Sequence, residues 1–283
     1  MKLKEYRIPM PLTLDEYRLG QQWTEIELLK ESLQTYSTCI KISDNIPEEK
    51  RLEIIHEKLP LRLQSTINSS IQMKHKKYYI KDQKSKFFDF FSFKSKIDLI
   101  LDEYSWDNWP YTLTIIENIE NSIRIIIQSY YKNISLSQIN LNSQLYFSLN
   151  DEQRKYLKDY EIINISERFD DKKDYRIDED PSRNISLKKP NLLPLQFNTK
   201  WYENLSKNQS LMCVYKLIEL VIIDEESFFT RATNKILWSS ILKTQKMLYH
   251  RFHQKMICSI DKWIDKTMEN IYEEEKSLEN SIK

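Results

Sequence analysis

Residues 109–132 read WPYTLTIIENIENSIRIIIQSYYK, and this stretch decides the fold. Its two halves, 109–118 and 122–132, are dense in β-branched and aromatic residues and are separated by three residues. That composition and spacing predict an antiparallel hairpin. Working outward, 38–43, 71–80 and 160–166 also predict strands. So does 211–223, an apolar run long enough to be a buried strand but interrupted by Lys216 and Glu219. Residues 4–11 predict a short strand, placed at a sheet edge because Pro9 and Pro11 cannot donate to a ladder.

Helical signals lie at the two ends of the chain. Thr13-Leu14-Asp15-Glu16 fits a capping box, with Tyr17, Trp23, Ile26 and Leu29 following near helical spacing, so a helix to about Leu33 is expected. Gly20, the single glycine, falls inside it. Glycine there costs about 1 kcal/mol against alanine, which points to a place where a side chain is not tolerated, for close packing or for a ligand. The charged piece 47–59 predicts a short helix, and 171–198 a long surface loop. From Thr233 to Ile282 apolar residues recur at helical spacing. An unbroken helix of that length would span about 75 Å, so a break is expected near Asp261 or Met268. Strand, helix, several strands and a long terminal helix make an α+β domain spanning 1–283, with a curved sheet wrapped on helices.

Composition narrows the function classes. Lys and Arg number 43 against 42 Asp and Glu, a net charge of +1, so no global field draws the chain to nucleic acid. One glycine cannot supply a P-loop, a dinucleotide fingerprint or a nucleophile elbow. Cys39, Cys213 and Cys258 are odd in number and far apart, which suits reduced thiols in a cytoplasmic protein rather than a disulfide framework. The start Met-Lys-Leu-Lys-Glu-Tyr lacks an apolar signal core, and no apolar run reaches the roughly 20 residues of a membrane span. His250 and His253 have no third ligand at metal-site spacing, so neither a metal nor a catalytic role is assigned. No nucleophile–base pair is evident, and the chain is not read as an enzyme.

Several blocks resemble the class I phosphatidylinositol transfer proteins. They are Lys4-Glu5-Tyr6-Arg7, Asp15-Glu16-Tyr17-Arg18-Leu19-Gly20-Gln21, Trp106-Asp107-Asn108-Trp109-Pro110-Tyr111 and Glu179-Asp180-Pro181. Met212-Cys213-Val214-Tyr215-Lys216-Leu217, Phe252-His253-Gln254 and Asp261-Lys262-Trp263-Ile264-Asp265 continue the series. The blocks are colinear and cover almost the whole chain, with 44–69 and 135–150 outside the match. The resemblance implies a START-like helix-grip fold holding one phospholipid, phosphatidylinositol or phosphatidylcholine. It also implies a monomeric cytoplasmic shuttle that visits membranes transiently, with no cofactor besides the lipid.

Carried over by position, the inositol-contacting residues fall on Lys74, Lys76, Glu103, Asp107 and Glu275. The phosphate-contacting residues fall on Gln21, Thr114, Ser129 and Lys216. Thr112 takes the place of a cysteine near the headgroup, and Ser186 that of a phosphorylatable serine. Lys74 stands where the family has a threonine, and Asp107 where it has an asparagine. For membrane insertion the substitute for the family's tryptophan pair is Phe228-Phe229, read as a loop. The chemistry agrees: a polyol asks for mixed donors and acceptors, and a lysine inside an apolar strand needs an anionic partner. A START-like carrier of a sterol or another apolar ligand, and an interaction domain with a filled core, are the competing readings.

Overall fold

The computed structural model describes residues 2–35, 38–43, 46–67, 71–80, 99–118, 123–135, 147, 149–157, 160–168, 175–192, 194–196, 200–205, 209–222 and 228–282. Among the described residues, eight strands form one sheet: β1 (Lys2–Met10), β2 (Thr38–Ser43), β3 (Met73–Ile80), β4 (Leu99–Asn108), β5 (Tyr111–Asn118), β6 (Ile123–Asn133), β7 (Tyr160–Ile162) and β8 (Met212–Ile222). The helices among the described residues are α1 (Leu14–Thr35), α2 (Glu48–Lys58), α3 (Leu61–Gln64), α4 (Asp151–Tyr156), α5 (Phe228–Cys258), α6 (Ile260–Trp263) and α7 (Met268–Ile282). The sheet order is β2-β3-β4-β5-β6-β8-β1-β7, curved and unclosed, and the expected α+β class holds.

The hairpin at 109–132 is β5–β6, antiparallel from Tyr111↔Tyr130 to Asn118↔Ile123. One strand expectation fails: β1 is not an edge strand, since it pairs with β8 along its whole length and with β7 over Glu5–Arg7. Proline is tolerated there for a local reason. The Arg7 carbonyl accepts from Ile163 N–H at 2.8 Å, so odd-numbered β1 residues present their backbone groups on the β7 side. Pro9 lies on that side beyond the end of the short β7, where no ladder bond is lost.

Direct cross-strand pairing keeps opposite residues on one face of the sheet. The outer face carries Met73, Tyr104, Trp106, Leu113, Ile115 and Ile126, packed under Ile54, Ile55, Leu59 and Leu63 of α2 and α3. The buried carboxylate of Glu117 ties this layer down, accepting from Lys58 Nζ at 2.6 Å and from Arg124. The inner face carries Tyr6, Ile8, Ile125, Ile127, Val214 and Ile218, covered by Tyr17, Trp23 and Ile26 of α1 and by α5.

Helix α1 starts where its capping box predicts: Thr13 N–H donates to Glu16 Oε2 at 2.9 Å, and Glu16 N–H to Thr13 Oγ1 at 3.2 Å. The C-terminal helix starts at Phe228, ahead of the expected Thr233, and it breaks after Cys258 and again before Met268. Between the breaks, α6 turns Trp263 back into the core with no exposed surface, its indole N–H donating to the Met256 carbonyl at 2.9 Å. Gly20 serves this contact. A Cβ built there would lie 2.8 and 2.9 Å from two Trp263 ring carbons, so close packing is what excludes a side chain.

His250 and His253 are buried anchors of α5. His250 Nε2 donates to the Asn164 carbonyl at 3.0 Å. His253 Nδ1 donates to the Tyr249 carbonyl, which leaves Nε2 to accept from the Tyr17 hydroxyl at 2.9 Å. Burial lowers His250 to about 4 and His253 to about 3. The unfolded chain therefore takes up two protons near pH 6.5 that the folded chain refuses. Their contribution to stability is present in full above pH 6.5 and is lost as pH falls towards 4. We expect the urea midpoint to drop already between pH 6.5 and 5, above most carboxylate titration, and His250→Gln to flatten that slope. An unchanged midpoint across the window contradicts the burial of these rings.

Candidate ligand-binding site

Strand register gathers most of the predicted residues on one face. A row runs across the sheet through Asp107, Thr112, Ser129, Lys216 and Tyr6, each opposite the next. The next row is Lys74, Ser105, Thr114, Ile127 and Ile218, and the one after is Lys76, Glu103, Ile116, Ile125 and Leu220. These last two rows are polar or mixed on β3–β5 and apolar on β6 and β8. The inner face thus has a charged corner beside a hydrocarbon-like floor. All of these are strand positions separated by two, so β periodicity alone puts them together.

Helices supply the facing groups. Gln21 and Glu25 stand one turn apart on α1, joined by a hydrogen bond from Gln21 Nε2 to Glu25 Oε1 at 3.0 Å. From α7, Glu275 Oε1 accepts from Lys74 Nζ at 2.5 Å. Lys76 Nζ lies 4.0 Å from Glu103 Oε1, and the Tyr78 hydroxyl donates to Glu103 Oε2 at 3.1 Å. On the other side, Lys216 Nζ donates to Ser129 Oγ at 2.9 Å and stands 4.9 Å from the centre of the Tyr249 ring. The Tyr131 hydroxyl sits 3.4 Å from Thr112 Oγ1.

The electrostatics follow from enclosure. Burial pulls the Lys216 ammonium down to about 8, with Glu25 the opposing influence. Burial raises the Glu25 carboxyl, and Lys76, the Gln21 hydrogen bond and Lys74 hold it back. Lys76 goes the other way. Burial would lower it, but the fields of Glu103, Glu25, Glu275 and Glu279 outweigh that cost and its pKa is raised. The Tyr131 phenol is pushed up to about 12 by burial.

Gln21, Lys74, Lys76, Glu103, Glu275, Thr112, Thr114, Ser129 and Lys216 are therefore brought to one region. Asp107 is not enclosed with them: it shares the face but is exposed beside the β4–β5 turn. Ser186 belongs to a different place. It is buried, donates to Asp261, and accepts from Lys189 N–H at 2.8 Å. Phe228 and Phe229 open helix α5 rather than sitting in a loop, and their side chains lie outside the described residues. Sequence reasoning missed Glu25, Tyr78, Tyr131 and Tyr249. Glu25 had one available signal, its spacing of four from Gln21 on a helix.

The chain can be placed among known proteins. A family model described as phosphatidylinositol transfer protein matches residues 1–280. The phosphatidylinositol transfer protein beta isoform of Bos taurus is 26% identical over 99% of this chain and 93% of its own length. Phosphatidylinositol transfer protein 1 of Dictyostelium discoideum is 25% identical over 100% of this chain and 95% of its own. The membrane-associated phosphatidylinositol transfer protein 2 of Mus musculus is 26% identical over 99% of this chain, which covers 19% of that longer protein. With its eight-stranded open sheet, its C-terminal helices and a family match over nearly every residue, the chain belongs to the phosphatidylinositol transfer protein family.

Proposed function

We propose that the protein carries one phospholipid at a time between membranes, holding it between the inner face of the sheet and helices α1, α5 and α7. The observation that carries this reading is the inner face itself, with a charged corner on β3–β5 and an apolar floor on β6 and β8. A phospholipid has that same division. Its phosphodiester meets Lys216, with the hydroxyls of Ser129, Thr112 and Thr114 and the amide of Gln21 as further donors. Its acyl chains lie against Ile125, Ile127, Ile218 and Leu220.

Burial of the chains contributes about 0.8 kcal/mol per methylene, but a bilayer buries them nearly as well. Headgroup contacts therefore decide which lipid is carried. The role involves binding and release with no covalent step. No helix among the described residues is long and apolar enough to cross a membrane, which suits a carrier that leaves the bilayer. The test is transfer of a fluorescent phospholipid from donor to acceptor vesicles. Transfer should rise in proportion to protein and saturate with acceptor. A rate equal to spontaneous exchange contradicts the carrier reading.

A further inference from the structure

The charges in the corner do not balance locally. Lys74 and Lys76 face Glu25, Glu103, Glu275 and Glu279. Lys74 is committed to Glu275, and Glu103 is shared between Lys76 and Tyr78. Of the groups matched to an inositol ring, Lys74, Lys76, Glu103 and Glu275 therefore already satisfy one another. Within the site, Glu25, held by the Gln21 amide, and Lys216, held by the Ser129 hydroxyl, have no ion pair among the described residues. They belong to facing elements, α1 and β8, and feel each other's field. Beside Lys216, the shielded Tyr249 hydroxyl has no hydrogen-bond partner among the described residues, a donor left over for an anion.

An unpaired cation and an unpaired anion on opposite walls match a ligand with the reverse pair. An inositol phosphodiester brings one negative charge and no positive one to a corner already rich in carboxylates. A zwitterionic headgroup brings an ammonium two carbons from its phosphate. From this we infer that Glu25 is a specificity-determining residue, which receives the ammonium of a choline or ethanolamine phospholipid while Lys216, Ser129 and Tyr249 hold the phosphate. The assignment rests on the carrier reading above and names its preferred cargo. Burial raises the Glu25 carboxyl, and an ammonium beside it favours the ionised form. Tyrosine rings at Tyr78 and Tyr131 also suit a cationic headgroup.

The test is a competition. The full chain is incubated with vesicles of equal phosphatidylcholine, phosphatidylethanolamine and phosphatidylinositol, re-isolated, and its lipid identified by mass spectrometry. Zwitterionic lipid should exceed phosphatidylinositol at least tenfold. Glu25→Gln, which keeps the shape and removes the charge, should cut that ratio about tenfold. Lys216→Met should lower loading of all three lipids without restoring phosphatidylinositol preference. A wild-type protein loaded mainly with phosphatidylinositol overturns the inference while leaving the carrier reading intact, and so does a ratio unchanged in Glu25→Gln. A protein that takes up none of the three overturns the carrier reading itself. Should Glu25→Gln fail to fold, the wild-type ratio alone decides.

Discussion

Lys216→Met should lower phospholipid transfer about ten- to a hundredfold while leaving the protein folded and at least as stable as wild type. The two halves of this result have one cause. An ammonium inside the fold with a serine hydroxyl as its hydrogen-bond partner is under-compensated, so methionine of similar length relieves that cost. The loaded protein loses a charge-assisted contact to phosphate, worth roughly 1.5–3 kcal/mol, and every 1.4 kcal/mol is about tenfold in affinity. A lysine with a purely structural role would show the reverse pattern, losing stability and keeping transfer. Combining Lys216→Ala with Thr114→Glu, which sets a carboxylate against the phosphate, should abolish transfer.

The same residue makes a prediction in pH. Its folded value of about 8 lies below the ordinary lysine value of 10.5. Between those values the unfolded chain holds a proton that the folded chain has released, so the Lys216 contribution increasingly favours the fold as pH rises from 8 to 10.5. Phosphate binding needs the proton. Lipid loading should therefore fall over the window in which that contribution to stability grows, and Lys216→Met should show neither trend.

Gly20→Ala should destabilise the protein although alanine is the better helix former. The propensity gain is about 1 kcal/mol. Against it stands a new methyl carbon 2.8 Å from the ring of Trp263, which is fully buried and fixed by its bond to Met256. Overpacking of this kind costs roughly 1–3 kcal/mol, and a protein of this size loses about 2–4 °C in Tm per kcal/mol. Trp263→Ala alone should cost roughly 3–5 kcal/mol. If the ring is the obstacle, Gly20→Ala should be far less damaging in the Trp263→Ala background. Equal effects in both backgrounds would locate the strain elsewhere. Because Gln21 and Glu25 ride on the same helix, the single variant should also weaken lipid loading.

What could be read in the sequence follows from how cleanly each segment serves one environment. The β5–β6 hairpin, the α1 cap and the break before Met268 each carry a local signal that tertiary packing does not override. Strand β4 does not: LILDEYSWDN puts Asp102 on the outer face and Glu103, Ser105 and Asp107 on the inner one. Asp102 meets His75 at 2.7 Å, and Glu103 belongs to the ligand corner. Polar residues on both faces erase the alternation that marks a strand. The edge placement of β1 failed for a related reason, since Pro9 signals a missing ladder bond but not which neighbour ends before it.

The residues matched by family position on β3 to β6 and β8 fall on one face because they sit on alternate residues of paired strands, while Gln21 and Glu275 come from α1 and α7. Glu25 was illegible because one glutamate on a charged helix has the appearance of a solvated face. Only the fold brings it within the field of Lys76 and Lys216. Asp107 failed for the opposite reason: its strand position is right, but the turn after it leaves the side chain outside.

The central claim is that the inner face holds one phospholipid, and native mass spectrometry of the purified protein before and after incubation with mixed vesicles tests it most directly. The account predicts a single added mass of one phospholipid per chain, absent or much reduced in Lys216→Met. A protein that stays at its bare mass after incubation, with Lys216 intact, would contradict it.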